Sequence, residues 1–140
     1  MKLVCDRESF RPCYDSRVRW FDWSADFPLM QQAWAESGST LTYEDWLSFR
    51  DSGYTYCGII QNGVVASIAA VWTYSESAWE VAAVATMPSY RRQGLATAVV
   101  SFVTEHILKH GRLATCHTRH DNTAMRRTAE GVGFRVVAEE

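Results

Sequence analysis

Apolar and polar positions along this chain repeat in two periods, and an element ends where one period gives way to the other. Lys2-Leu3-Val4-Cys5 fits a short strand, and Pro12 ends any regular element after it. Val18 to Trp23 reads as a strand with Val18, Trp20 and Asp22 on one face. Leu29, Met30, Ala33, Trp34 and Ser37 then fall at helical spacing, with Asp26 as cap, Pro28 in the first turn and Gly38 past the end. A second helix starts at Thr42, where Asp45 three residues on completes a capping box, and Gly53 ends it. Tyr54–Ile60 and Val64–Tyr74 are strands joined by Asn62-Gly63, a pair suited to a type I′ hairpin turn.

Ser75-Glu76-Ser77 turns the chain into another strand, Trp79–Met87, which Pro88 stops. Leu95, Ala98, Val99, Phe102, Val103 and Ile107 form the stripe of a long helix that ends at Gly111. Leu113–Thr118 is a strand. Asp121 or Asn122 caps a helix carrying Met125, Ala129 and Val132, and Phe134–Ala138 is the last strand. No repeat or linker interrupts this order. Residues 1–140 therefore read as one domain of the α/β class, a sandwich built on a mixed sheet.

Between the Trp79 strand and the long helix lies Ser89-Tyr90-Arg91-Arg92-Gln93-Gly94-Leu95-Ala96-Thr97. A helix N-terminus presents unpaired N–H groups and partial positive charge, and Gly94 with the small Ala96 lets another group approach that backbone closely. The turn suits an anion, above all a phosphate. It is neither a P-loop, which needs Gly-Lys-Ser/Thr, nor the G-x-G-x-x-G of a dinucleotide fold.

Composition narrows the classes further. Of 140 residues 47% are apolar, which argues against disorder. The N-terminus lacks the apolar stretch of a signal peptide, and the longest nearly uninterrupted apolar run, Val64–Trp72, is too short to span a bilayer, so the cytoplasm is expected. Cys5, Cys13, Cys57 and Cys116 show no C-x-x-C spacing and read as reduced thiols. Only Cys116, His117 and His120 cluster, short of a four-ligand zinc site, and no metal is expected. Residues 1–88 carry a balance of −5 and residues 89–140 one of +3. That asymmetry fits ordinary surface charge, or an anionic cofactor on one wall of a site and a cationic amine on the other. Neither half has the basic stripe of a nucleic-acid binder.

Arg91-x-x-Gly94-x-Ala96, with a strand and Met87-Pro88 before it and an amphipathic helix after it, resembles the pyrophosphate loop of the GNAT superfamily of acyl-CoA-dependent N-acyltransferases. Asn122, with Gly133-Phe134 eleven and twelve residues on, resembles that superfamily's closing signature. The resemblance implies a mixed central sheet with helices on both faces. That fold usually adds a strand after the one following Gly-Phe; here Glu140 leaves little room, so the N-terminal segment or a second subunit would fill the edge.

The resemblance also implies a site. The acyl-pantetheine arm of acetyl-CoA would lie between the splayed strands Trp79–Met87 and Leu113–Thr118. The backbone of Thr86 would hold it and the amide of Val84 would polarise the thioester carbonyl. Arg91, Arg92, Gln93, Gly94, Leu95, Ala96 and Thr97 would take the pyrophosphate. A primary amine, on a small molecule or exposed on a protein, would attack directly, without a metal, nucleic acid or membrane.

Glu80, eleven residues before Arg91 as in the histone-acetyltransferase branch, is the candidate base. It shares one strand face with Ala82, Val84 and Thr86. A salt bridge or a frayed strand start would explain it equally. The tyrosine that often protonates the leaving thiolate, seven residues after the asparagine, is Ala129 here, with His117 and His120 as possible substitutes. Asn122 has two roles open, helix cap and cofactor contact. Arg126, one turn on, reaches a phosphate or stays solvated. Trp34, Trp46, Tyr54 and Trp72 are candidates for an acceptor pocket. The alternatives to an N-acetyltransferase are an idle CoA-binding domain acting as sensor or scaffold, and a domain serving assembly alone, as in a homodimer.

Overall fold

The apolar stripes of the helices find their partners on the two faces of a single sheet. The computed structural model describes residues 1–139. Its strands are β1 (Lys2–Cys5), β2 (Arg19–Trp20), β3 (Tyr54–Gln61), β4 (Val64–Trp72), β5 (Ala78–Thr86), β6 (Leu113–His117) and β7 (Arg135–Ala138). Its helices are α1 (Phe27–Glu36), α2 (Tyr43–Asp51), α3 (Leu95–Lys109) and α4 (Thr123–Val132), and a 3-10 turn covers Pro88–Tyr90. Among these described residues the sheet has seven strands in the order β2-β3-β4-β5-β6-β1-β7, of which only β5–β6 is a parallel pair. Among the described residues no helix is long and apolar enough to cross a membrane.

On one face α1 and α2 set Met30, Ala33 and Trp46 against Tyr56, Ile68 and Ala70. On the other, α3 and α4 set Val99, Val103, Ile107, Ala129 and Val132 against Cys57, Ala69, Val71 and Val81. The mixed sheet with helices on both faces is thus present. Among described polar side chains that are fully buried, none lacks a partner, which is what a stable interior requires.

The short N-terminal strand lies in the sheet's interior. β1 pairs antiparallel with β6 on one side and β7 on the other. Its Leu3 and Cys5 are fully buried. The N-terminal segment expected to fill the sheet's edge thus sits one strand inside it, and β7 forms that edge.

Two local expectations are corrected. Asp26 precedes α1 but does not cap it; its side chain makes no cap hydrogen bond. Its carboxylate instead accepts both guanidinium nitrogens of Arg19, each at 2.9 Å, and the Asp22 N–H at 2.7 Å. That bond, with the Asp22 carboxylate accepting from the N–H groups of Ser24 and Ala25, turns the chain away from the sheet. The strand expected over Val18–Trp23 is consequently cut to Arg19–Trp20. By contrast Thr42 and Asp45 form the full capping box of α2, and Asn62 and Gly63 both take the positive φ of a type I′ turn.

Arg19 holds the buried Asp26 carboxyl below its ordinary range. A depressed folded pKa contributes stability above the unfolded value of about 4, and that contribution is lost as pH falls through the folded value. Asp26→Asn should therefore be less stable than wild type near neutrality by about 1–2 kcal/mol, a figure kept low because Arg19 is half exposed. The gap should close in acid, and urea midpoints measured across pH check it.

Candidate active site

β5 and β6 begin side by side and then part. They pair only over Ala78–Glu80 against Leu113–Thr115. Beyond that point Cys116 and His117 go on pairing with β1, while β5 stays with β4. The gap this opens is a cleft of about 330 Å³ lined by residues 80–84 of β5 and by Cys116, His117, Thr118 and Arg119. It adjoins a larger cleft of about 680 Å³, with Val84, Asn122 and Met125 common to both. The larger cleft runs along Ala85, Thr86 and Tyr90 to Arg91, Arg92 and residues 94–97, with Ala124 and Thr128 of α4 on its far side.

A bulge directs the side chains around this gap. β4 and β5 slip register between Ile68 and Ala70, so Ala83 and Val84 together oppose Ala69, and Ala83 takes φ 55°. A non-glycine residue at positive φ is uncommon and costly, and a bulge inverts the alternation beyond it. The expectation that Glu80, Ala82, Val84 and Thr86 share a face is therefore corrected. Glu80 and Ala82 follow Trp72 and Ala70 onto the α1/α2 face, whereas Thr86 follows Ser67 onto the other and bonds its hydroxyl at 2.9 Å. One row across the sheet, Tyr54, Trp72, Glu80 and Thr115, is in register. Tyr54 and Trp72 stack there with centroids 5.3 Å apart.

Beyond β5 the chain forms a braced turn. Tyr90 N–H donates to Met87 O at 2.9 Å, and the Tyr90 hydroxyl accepts from Asn62 Nδ2 at 3.2 Å. Arg91 Nε donates to Thr86 O at 3.2 Å, so the guanidinium folds back along β5. Arg92 and Gly94 both take left-handed backbone, φ 64° and 77°. Gly94 is the N-cap of α3, and no side chain caps that helix. Its first-turn amides thus face the large cleft beside two arginines, a chemistry that suits a phosphate-bearing ligand.

Not every residue expected here is brought together. Gln93 is exposed and lies outside the clefts' linings. Arg126 is likewise absent from both linings, and its Nε donates to Glu130 Oε1 at 2.8 Å across one helical turn. Asn122 does line both clefts, and its Oδ1 also caps α4 by accepting the Met125 N–H at 3.1 Å. Ala129 is fully buried in the core between α4 and the sheet.

Glu80 is held by partners that its own strand pattern does not reveal. Its Oε1 accepts from Thr115 Oγ1 at 3.1 Å and lies 2.5 Å from His117 Nδ1. The Tyr74 hydroxyl lies 3.1 Å from Thr115 Oγ1. The register of β6 beside β5 creates this cluster, which a parallel pairing 35 residues apart in sequence conceals. Cys116, next to His117, faces the core, and its burial together with the Glu80 charge pushes its thiol up to about 12, which leaves it inert.

Residues 15–134 match the model of the acetyltransferase (GNAT) family. The chain belongs to that family. No curated protein matches it by sequence. Among solved structures, a GNAT-family protein of Novosphingobium aromaticivorans is 23% identical with a TM-score of 0.77, over 97% of this chain and 58% of its own. YncA of Salmonella typhimurium, solved with its cofactor acetyl-CoA, is 19% identical with a TM-score of 0.69, over 86% and 80%. The ribosomal-protein-S18-alanine N-acetyltransferase of Escherichia coli is 20% identical with a TM-score of 0.69, over 86% and 78%. These likenesses establish the GNAT fold. The chain spans only about half the length of the first structures it resembles, 58%, 52% and 47%. Strand β1 lies outside the GNAT-matched segment.

Proposed function

We propose that this protein transfers an acetyl group from acetyl-CoA to a primary amine within a ternary complex. The observation that carries the reading is the β5–β6 gap, which joins the Arg91–Thr97 turn at one end to the Glu80 carboxylate at the other. Family membership and the acetyl-CoA in the Salmonella relative support it.

In this reading Arg91, Arg92 and the amides from Gly94 to Thr97 hold the pyrophosphate. The backbone around Val84 and Thr86 holds the arm, and Val84 N–H faces the thioester oxygen as an oxyanion donor. Asn122 adds a contact from the α4 side while keeping its cap. Glu80 is the carboxylate that drives loss of the amine's proton, since an ammonium has no lone pair. The acceptor approaches over the α1/α2 face, past Trp72 and Tyr74, where aromatic rings and a carboxylate favour a cationic amine.

Calorimetry with acetyl-CoA, and thiol release with a panel of primary amines, test this. A ligand at about a hundred times its Kd should stabilise the fold by about 2.7 kcal/mol, read as a rise in Tm. Absence of binding refutes the site. Binding without thiol release to any amine would instead mark an idle CoA-binding domain.

A further inference from the structure

We infer that the proton of the acyl transfer passes through His117 Nε2, with Glu80 as the group that orients the ring. The inference rests on the acetyl-transfer reading above and goes beyond it by naming the atom that takes the proton and the one that returns it.

Four features lead to His117. Both line the gap, but the Glu80 side chain is only 12% exposed whereas His117 is 47% exposed, so His117 is the more open member of the pair to an incoming amine. An ionised carboxylate can only accept. The 2.5 Å contact from Nδ1 to Oε1 therefore places the proton on Nδ1, and in the neutral ring Nε2 keeps its lone pair. Nε2 has no protein partner among the described residues. His117 also shares the face of Thr115, two residues back on β6, which is the face of Glu80.

A hydrogen-bond chain fixes the carboxylate. Thr115 has one hydroxyl proton and two acceptors in reach, Glu80 Oε1 at 3.1 Å and Trp79 O at 3.3 Å. The charged acceptor is the stronger. Tyr74 then donates to Thr115, giving Tyr74 to Thr115 to Glu80, with His117 arriving from the other side. This is a base oriented by a third group, the general arrangement that activates a nucleophile. The other charged groups facing His117 are Lys2, its register partner on β1, and Arg119 at the rim of the same gap.

The step balances without a further reactant. The amine enters the step as its free base, the ammonium proton having gone to solvent, and its nitrogen bonds to the thioester carbon as one N–H proton moves to Nε2. The carbon–sulfur bond then breaks and the thiolate takes that proton from the imidazolium. His117 thus ends as it began, and the ring supplies the acid that Ala129 cannot.

The deciding test is the 15N spectrum of His117 in the unliganded protein, at a pH where the ring is neutral. The expected result is protonated Nδ1 and unprotonated Nε2. A ring protonated at Nε2 overturns the inference. This readout needs neither acetyl-CoA nor an acceptor, so it is independent of the proposed function, which calorimetry tests separately. The kinetic arm uses 2-phenylethylamine within the amine panel. His117→Asn keeps a donor where Nδ1 was and lacks Nε2, so it should bind acetyl-CoA normally while kcat falls by roughly a hundredfold or more. Glu80→Gln should lose no more than that and should shift the pH–rate profile. Full activity of His117→Asn beside a crippled Glu80→Gln would make Glu80 the direct base and His117 its cover.

Discussion

Gly133→Ala is expected to destabilise the fold by about 4 kcal/mol or more, at the upper end of single substitutions. Gly133 takes φ 108°, a conformation that side-chain-bearing residues rarely adopt. A Cβ there would also overlap the Ser9 carbonyl oxygen, lying 2.8 Å from Ser9 C and 3.1 Å from Phe10 Cα. Those are backbone atoms, and they are held in place. Arg11 N–H donates to Val132 O at 2.8 Å, and the Asp6 side chain pins the loop by accepting the Ser9 N–H at 2.8 Å. Relief would require the loop after β1 to lift off α4. Urea unfolding should show the loss, and amide exchange should show faster opening in β1 and β7 than in β3 and β4. A variant within 1 kcal/mol of wild type would mean that the loop moves aside freely.

Gly94→Val is expected to remove most acetyl-CoA binding while leaving the fold intact. The left-handed φ of 77° costs an L-residue about 1–2 kcal/mol, more for a β-branched one. That alone corresponds to about 5- to 30-fold in affinity if the turn relaxes out of its conformation. A Cβ at Gly94 meets no protein atom within 4 Å, so the added side chain enters the open cleft and obstructs the ligand, not the core. Gln93→Ala serves as the control, since Gln93 is exposed and outside the cleft lining; its affinity should match wild type. Calorimetry on both variants checks this, and equal affinity for Gly94→Val would move the phosphate site elsewhere.

Much of the architecture was legible because its signals are local. Asn62-Gly63, the Thr42–Asp45 box, Gly94 before α3 and Asn122 before α4 each act within a few residues, and each behaves as its chemistry dictates. What escaped depends on partners distant in sequence. Asp26 reads as a cap until Arg19 claims it. Arg126 reads as a phosphate contact until Glu130 does the same. The bulge is harder still, since Ala83 at φ 55° carries no glycine or asparagine to announce it. Strict alternation then puts Val84 and Thr86 on the wrong side of β5. Glu80 was identifiable from its place eleven residues before Arg91, but its company of Thr115, His117 and Tyr74 follows only from the register of β6.

The interior position of β1 has a kinetic consequence. Lys2 pairs with His117 and Ala138, and Leu3 with Cys116 and Val136, so the first strand finds both partners only among the last thirty or so residues. Contacts of such sequence separation raise contact order and slow folding, because loop closure precedes any gain from pairing. During synthesis β3, β4 and β5 can assemble as successive hairpins while β1 waits, its apolar residues uncovered. The sheet closes last at β6-β1-β7, next to the gap that ends at His117. Deleting Lys2–Cys5 should therefore slow refolding and release β7, while the β3-β4-β5 meander still forms.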